Sequence, residues 1–194
     1  VVPGIILLAV AGAAQGTAIS VAMDMSEGII ARFRTMGISR ASVLTGHVLG
    51  SLIQTMLSLA FITGVALLVG FRPTASPVEW LAATGVLAAI TLAVIWFSVA
   101  CGLVSKSVET ASNLPMPLIL LPLISSAFIP VDSMPGWFQP IAEYQPFTPA
   151  IDTLRGLLLG SEIGHNGWLA VVWCLGLAVL GYLWSTSKFN RDPK

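Results

Sequence analysis

The chain has 194 residues, of which 56% are hydrophobic and 9% are charged, and its formal net charge is zero. Soluble domains carry about 25% charged residues, so this composition excludes an ordinary water-soluble domain, and the zero net charge gives no general attraction to nucleic acid. The two cysteines, Cys101 and Cys174, stand singly in long apolar runs. Their spacing therefore predicts neither a disulfide framework nor a metal site.

The first predicted element is an apolar helix over residues 1–23. The sequence begins VVPGIILLAVAGAAQGTAISVAM, without a methionine start and without basic residues ahead of the apolar stretch. A secretory signal peptide has a charged region before its apolar part and a cleavage site after it, and this pattern differs from that. We expect the chain to be a domain of a longer protein, in which a further helix precedes residue 1.

Residues 24–42 follow as a predicted cytoplasmic segment that contains an amphipathic helix. Its apolar residues recur at spacings of four, four and three and therefore share one helical face: Met25, Ile29, Phe33 and Met36. Glu27, Arg32 and Arg34 fall largely on other faces, and Gly37 suits the end of a helix. Such a helix lies along a membrane surface, either as a simple anchor or as a docking surface for a cytoplasmic partner.

Four more apolar stretches follow, and like the first they contain no Asp, Glu, Lys or Arg: residues 43–70, 80–104, 114–131 and 167–187. A helix needs about 20 apolar residues to cross a bilayer, and a charge at the bilayer centre is costly. The stretches do not alternate as the strands of a membrane barrel do. We therefore predict an all-α polytopic helix bundle with five transmembrane helices, and a sixth, N-terminal one outside this sequence.

Small and polar residues inside the predicted spans point to helix packing. Glycines form two GxxxG patterns, and small residues at this spacing let helices approach closely, although glycine is also common in membrane helices without that role: Gly12 with Gly16, and Gly46 with Gly50. His47 and Gln54 are the large polar side chains of the second span. We expect both to hydrogen bond to neighbouring helices rather than to bind a ligand.

The basic residues divide unequally between the two sets of connecting segments. Residues 24–42, 105–113 and 188–194 together hold seven of them, Arg32, Arg34, Arg40, Lys106, Lys188, Arg191 and Lys194, whereas the opposite set holds two, Arg72 and Arg155. Cytoplasmic loops carry the excess of Lys and Arg, so the first set is predicted inside and the start of the chain outside. Trp80, Trp137 and Trp168 then mark the outer membrane boundary, where tryptophan is common.

The predicted external segment, residues 132–166, is unusual for a loop. Five prolines stand in or just before it, a density that breaks helices: Pro130, Pro135, Pro140, Pro146 and Pro149. The apolar run over residues 150–159 is too short to span a membrane, so we predict a re-entrant or interfacial helix with a local pair between Asp152 and Arg155. A structured cap that never contacts cargo is the alternative.

These two unusual segments carry a resemblance to a known family. SEGIIARFRTMGISRASVLTGHVLG resembles the region after the second helix of ABC-2 type permeases, and FIPVDSMPGWFQPIAEYQPFTPAIDTLRGLLLG resembles the external segment between that family's last two helices. The likeness is closest to actinobacterial drug-export permeases of the daunorubicin-resistance type. It covers essentially the whole chain as one transmembrane domain over residues 1–194, and the family's cytoplasmic N-terminal helix and first span are absent from the sequence.

The resemblance implies a half-transporter in a bacterial plasma membrane that pairs with a second permease copy and with cytoplasmic ATP-binding subunits. It implies that the coupling helix contacting the ATPase includes Glu27, Gly28, Arg32, Phe33, Arg34, Met36 and Gly37. It implies outer re-entrant helices near the exit of the path, in a segment that includes Pro130, Pro135, Pro146, Pro149, Asp152 and Arg155. The sequence has no GxxxxGK[ST] loop, which is the loop that cradles ATP phosphates. We therefore expect no catalytic, cofactor-binding or metal-binding residue here, and ATP on a partner.

Three alternatives stay open beside an exporter of drug-like or lipid-like amphiphiles. The cargo of the same class of exporter could be a polysaccharide or a lipid-linked precursor. An ion-coupled secondary transporter would place an acid or a histidine at the membrane midplane, but no predicted span contains an acid and His47 lies near the end of its span. An intramembrane enzyme would need an organised catalytic motif, and His47 stands in none.

Overall fold

The computed structural model of the chain describes residues 2–27 and 40–191, without the side chains of residues 40, 41, 43 and 189–191. Within these ranges the chain is helical and has no strand, which confirms the predicted all-α class. The α-helices in chain order are α1 (Val2–Ser26), α2 (Arg40–Leu68), α3 (Pro77–Val104), α4 (Val108–Asn113), α5 (Met116–Leu123), α6 (Gln139–Tyr144), α7 (Phe147–Leu159) and α8 (Asn166–Arg191). A short 3-10 helix over Val131–Ser133 lies between α5 and α6.

Four of the described helices are long and apolar enough to cross a membrane. The qualifying segments are Val2–Ser26, Leu44–Leu68, Pro77–Val104 and Asn166–Lys188. They coincide with four of the five predicted spans to within a few residues at each end. Helices α2 and α8 leave many of their apolar side chains exposed, for example Phe61 at 73% and Leu180 at 64%. Apolar surface of that extent is expected where a helix faces lipid.

Helix α3 is the centre of the bundle and packs against α1, α2, α7 and α8. It begins with a capping box, because the Ser76 N–H donates to the Glu79 carboxylate at 2.6 Å and the Glu79 N–H donates to Ser76 Oγ at 3.4 Å. Pro77 occupies the first turn, where its missing N–H costs nothing. The box satisfies main-chain groups that the helix start would otherwise leave unpaired, and it fixes where α3 begins.

Two glycines outside the predicted GxxxG patterns allow α3 to approach its neighbours closely. A methyl group added at Gly102 would lie 2.7 Å from the Ala18 carbonyl oxygen of α1, and one added at Gly181 of α8 would lie 2.6 Å from the Phe97 nitrogen. By contrast, an added methyl at any glycine of the two predicted patterns would meet nothing within 4 Å. Within the described part of the chain these patterns therefore do not bring helices together, and the alternative that glycine is simply common in membrane helices fits them better.

The predicted span over residues 114–131 is not a continuous helix, so that prediction is wrong. Helix α5 has 8 residues and a length of about 12 Å, too short to cross a bilayer. Pro115 precedes the helix and Pro122 lies inside its last turn. Proline has no N–H and cannot continue a helix, so the chain turns after Leu123 and reaches the 3-10 helix through residues 124–130.

Residues 107–127, which include most of this segment, run antiparallel beside α1. The Gln15 amide donates to the Ser112 carbonyl at 3.0 Å and to its Oγ at 2.9 Å, while a methyl added at Gly4 would lie 2.5 Å from Ala127 Cβ. Ala22 of α1 and Ser107 line one cleft. Between Gly4 and Ala22 helix α1 rises about 27 Å, so the broken segment follows α1 over a length close to the ~30 Å thickness of a hydrocarbon core.

The bundle therefore has two distinct ends. The capped end contains residues 71–76 and 124–165, which are joined where the Thr74 N–H donates to the Leu158 carbonyl at 3.1 Å. The opposite end contains Asp24, His47 and Ser105. All three tryptophans predicted for the outer boundary lie at the capped end. Trp80 and Trp168 lie in the first turns of α3 and α8. Trp137 lies between the 3-10 helix and α6 and is 76% exposed.

Candidate functional site

The predicted coupling segment begins directly after α1 at the opposite end. Of the predicted coupling residues, the structure describes Glu27, which is exposed and lies in a turn. The Glu27 N–H donates to the Met23 carbonyl at 2.9 Å. The other predicted coupling residues lie outside the described residues: Gly28, Arg32, Phe33, Arg34, Met36 and Gly37. Their contact with an ATPase subunit stays a prediction.

An Asp24–His47 pair joins the two helices that flank this segment. Helix α1 continues beyond its predicted end at Met23 to Ser26, so Asp24 lies in the last turn of a helix. Its carboxylate oxygen is 3.0 Å from His47 Nε2 of α2, and the two side chains are 28% and 20% exposed. The expectation that His47 bonds to a neighbouring helix is confirmed, and this pair holds the entry and the exit of the coupling segment together.

A small cleft lies beside the same pair. It has a volume of about 180 Å³ and is formed between Ala22, Met25 and Ser26 at the end of α1 and the link from α3 to α4, Ser105, Lys106 and Ser107. The Ser105 N–H donates to the Cys101 carbonyl and closes α3. The ends of α1, α2 and α3 are thus all found around the start of the coupling segment.

At the capped end, the predicted prolines occupy the starts of turns and helices. Pro130 precedes the 3-10 helix, and the Pro135 carbonyl accepts from the Phe138 and Gln139 N–H groups at 2.8 and 3.2 Å. Pro146 is the N-cap residue of α7, and Pro149 is buried in the first turn of that helix. Each position tolerates the missing N–H of proline, which explains how a segment so rich in proline is still helical in part.

Helix α7 is the short helix predicted in this segment, and it begins three residues earlier than the apolar run suggested. It has 13 residues and is about 20 Å long. Phe147, Ile151 and Leu154 are fully buried, because α7 packs against α1, α3 and α8. Gly160 ends it in the left-handed conformation with φ 71°, which glycine adopts readily. Whether α7 re-enters a membrane stays a prediction.

The predicted pair between Asp152 and Arg155 is present on the less buried face of α7. Arg155 Nη1 donates to Asp152 Oδ1 at 2.9 Å. Two partners from distant parts of the chain complete the cluster: Ser126 Oγ donates to Asp152 Oδ1 at 2.7 Å, and the Asn166 amide lies 3.4 Å from Asp152 Oδ2. Arg155 Nη2 also donates to the Ser126 carbonyl at 2.9 Å. This Asp152 cluster ties α7 to the turn after α5 and to the start of α8.

A polar cavity between α1 and α2 was missed by the sequence analysis. It has a volume of about 490 Å³, and its lining contains no charged side chain: Ala9, Ala13, Gly16, Thr17, Ser20, Ser51, Gln54, Thr55, Ser58 and Leu59. The signal was available, because Ser51, Thr55 and Ser58 recur at spacings of four and three and share one face of α2. Gln54 makes no side-chain hydrogen bond to another described residue, so its predicted contact with a neighbouring helix is absent there.

Comparison with known proteins gives a family and several relatives. The family model described as ABC-2 type transporter matches residues 2–159. The chain is 31% identical over 161 residues to the daunorubicin resistance ABC transporter permease protein DrrB1 of Streptomyces coeruleorubidus, covering 82% of this chain and 56% of the relative. It is 25% identical over 180 residues to the probable doxorubicin resistance ABC transporter permease protein DrrC of Mycobacterium tuberculosis, covering 93% and 65%. The chain thus spans between about half and two thirds of the length of these relatives.

Proposed function

This chain belongs to the ABC-2 type transporter family, and from that premise we propose that it is the membrane-spanning subunit of an ATP-binding-cassette exporter. The family match over residues 2–159 carries the proposal. The chain moves an amphiphile out of the cell with ATP that a partner subunit hydrolyses, and the names of two relatives as ABC transporter permease proteins support this division. The four long apolar helices supply the membrane path.

The proposed cargo is a drug-like or lipid-like amphiphile. Two relatives are named as ABC transporter permease proteins for resistance to daunorubicin and to doxorubicin, and both drugs are aromatic molecules that carry polar groups. The uncharged polar cavity between α1 and α2 suits a molecule of that kind better than a highly charged one, because an unpaired charge is costly inside a membrane. Polysaccharide or lipid-linked cargo has no comparable support in the described part of the chain.

The proposed orientation places the opposite end of the bundle in the bacterial cytoplasm and the capped end outside. The excess of basic residues at the opposite end supports it. The ATPase subunit docks on the segment between α1 and α2, where Glu27, Arg32 and Arg34 supply charged contacts. The Asp24–His47 pair holds the two helices beside that dock, so a push on the segment reaches α1 and α2 together. A second permease copy completes the membrane unit.

Drug accumulation in cells tests this proposal directly. The full-length permease is expressed together with the ABC ATPase subunit that co-purifies with it, and cellular daunorubicin is measured by its fluorescence. We expect lower accumulation than in cells with either subunit alone, and full accumulation when the P-loop lysine of the ATPase is replaced by alanine. Export that persists with the inactive ATPase and collapses with a proton uncoupler would instead indicate an ion-coupled transporter.

A further inference from the structure

The polar cavity between α1 and α2 contains hydrogen-bonding groups that the protein leaves unpaired. In membrane helices, serine and threonine hydroxyls usually donate to the carbonyl one turn earlier. Thr17 and Ser58 do so, at 3.0 Å to Ala13 and at 3.0 Å to Gln54. Ser20, Ser51 and Thr55 make no such bond to any described residue. All three line the cavity.

Thr55 offers an unused hydrogen-bonding group to a molecule in this cavity. Thr55 is only 5% exposed, and it lines the cavity. Its hydroxyl has no hydrogen-bond partner among the described residues. The Thr55 hydroxyl is not one of the buried side-chain atoms that lack a partner, which among the described residues are Thr91 Oγ1 and Gln145 Oε1. It is therefore accessible from the cavity, where a bound molecule can hydrogen bond to it.

The walls of the cavity define the chemistry of that partner. Gln54 and the hydroxyls form a polar wall, and Ala9, Ala13 and Leu59 form apolar ends. The lining carries no formal charge. Asp24 and His47, which stand four residues from Ser20 and Ser51 on the same helices, already pair with each other. Gly16, Ser20, Gln54 and Ser58 are exposed, so the cavity opens sideways from the bundle. Its volume of about 490 Å³ falls within the range of about 300–1,000 Å³ found for small-molecule sites.

We infer that this cavity binds an uncharged, hydroxyl- or carbonyl-rich amphiphile that enters sideways from the bilayer. The inference rests on the proposed function and assigns a cargo site within one chain. The polar groups of the amphiphile satisfy Thr55, Ser51, Ser20 and the Gln54 amide, and its apolar part contacts the alanines of α1 and the lipid. A formal charge on the ligand contributes nothing to binding, because the cavity offers no partner for it.

Two pairs of variants test the inference in the full-length permease, held with its ATPase in nanodiscs. Gly16→Leu fills the cavity, and Gly12→Leu is its control: a methyl at either glycine meets nothing within 4 Å, but only Gly16 lines the cavity. Thr55→Val removes the unpaired hydroxyl. Thr63→Val is its control, because the Thr63 hydroxyl donates to the Leu59 carbonyl at 2.8 Å in the same helix.

The measured quantity is the binding of the aglycone of daunorubicin, a neutral polycyclic ketone with several hydroxyl groups, followed by its fluorescence. We expect saturable binding to wild type and to both controls. Binding to Gly16→Leu should be at least tenfold weaker. Binding to Thr55→Val should be about fivefold weaker, because that variant loses one hydrogen bond to the ligand. Equal affinity in Gly16→Leu and Gly12→Leu overturns the inference, as does the absence of saturable binding to wild type.

Two further outcomes identify a wrong occupant or a wrong ligand class. If Gly16→Leu alters the oligomeric mass or releases the ATPase, a protein helix fills the cavity and the inference fails. If daunorubicin binds and its neutral aglycone does not, the site selects a cation and the inference fails. Export that is unaffected in Gly16→Leu also overturns it, while the proposed function stands. Absence of ATP-dependent export by the wild-type pair instead overturns the proposed function.

Discussion

At the level of single residues, Asp152 connects three parts of the capped end. Its carboxylate accepts from Arg155 in its own helix and from Ser126 in the turn after α5, and it lies within reach of Asn166 at the start of α8. Both charged side chains are partly buried, at 22% and 31% exposed. Loss of the carboxylate would leave Arg155 half-buried without its counter-ion, and two polar groups would lose a partner.

We therefore predict that Asp152→Ala lowers the free energy of unfolding by about 1–2 kcal/mol, measured by chemical denaturation of the purified protein in detergent. Asp132→Ala is the matched control, because Asp132 is exposed and its side chain makes no hydrogen bond to another described residue. The control is expected to change stability by less than about 0.5 kcal/mol. Similar losses in the two variants would show that the Asp152 cluster has no stabilising role.

The contacts in this cluster differ in how well the sequence could predict them. A spacing of three residues on a helix places Asp152 and Arg155 on one face, so their pair was predictable from local geometry. Ser126 and Asn166 are 26 and 14 residues away from Asp152 along the chain. Nothing in the local pattern at Ser126 marks it as a partner, because the approach depends on how α5 ends and on how α7 packs beneath it.

At the level of elements, charge patterning predicts that an ATPase subunit docks on the segment between α1 and α2. The segment between α1 and α2 is bounded by the Asp24–His47 pair and begins with exposed Glu27. Replacement of Arg32 and Arg34 by glutamate reverses two charges on the predicted dock. We expect this variant to retain several-fold less ATPase in co-purification, because like charges at an interface oppose association.

Arg72→Glu provides the control for that experiment. Arg72 lies in the link between α2 and α3 at the capped end, far from the coupling segment along either helix. A reversal there changes the net charge in the same direction without touching the dock. Undiminished capture of the ATPase by the Arg32 and Arg34 variant would count against the docking role of these arginines.

The long helices were predictable because length and apolarity alone specify them. The ends of these helices were less predictable than their existence. Helix α1 continues past its predicted end at Met23 to Ser26. Helix α3 begins at Pro77, ahead of the predicted start at Trp80, because the Ser76 capping box lies before the apolar run. Residues 114–131 are apolar enough to predict one continuous span, but hydropathy does not record breaks in the backbone. The prolines at positions 115, 117, 122 and 130 were the available signal, and proline interrupts the hydrogen bonding of a helix.

At the level of the whole molecule, the two ends of the bundle predict a sidedness that cysteine labelling measures. Cys101 and Cys174 are 1% and 6% exposed, so the native thiols contribute little background. We expect Gly136→Cys, at the capped end, to react with a membrane-impermeant maleimide in intact cells. Lys188→Cys, near the end of α8, should react only after permeabilisation.

This expectation follows from the excess of basic residues at the opposite end, which predicts that this end lies inside the cell. Both positions are exposed in the structure, so a difference in labelling reports membrane side rather than burial. Labelling of Lys188→Cys, and not of Gly136→Cys, in intact cells would invert the proposed orientation. It would also place the predicted dock on the wrong side for a cytoplasmic ATPase.

The arrangement of the helices around α3, and the cavity between α1 and α2, could not be predicted in the same way. Small residues recur on many faces of these helices, and the sequence does not say which face meets which neighbour. Gly12 and Gly16 matched a packing pattern, yet the close approaches occur at Gly102 and Gly181. Only the folded arrangement distinguishes a glycine that admits a neighbouring helix from one that borders an open space.

Helix α2 has two unlike faces, and this matters for anyone who engineers the protein. One face carries Ser51 and Thr55 toward the cavity, and another exposes Leu57 and Phe61. A stability design that scores each substitution by average hydropathy would favour leucine at both polar positions. Such a chain would insert and express well, and expression yield would rise while the polar wall disappeared. Screens on this protein therefore need a functional readout beside the yield.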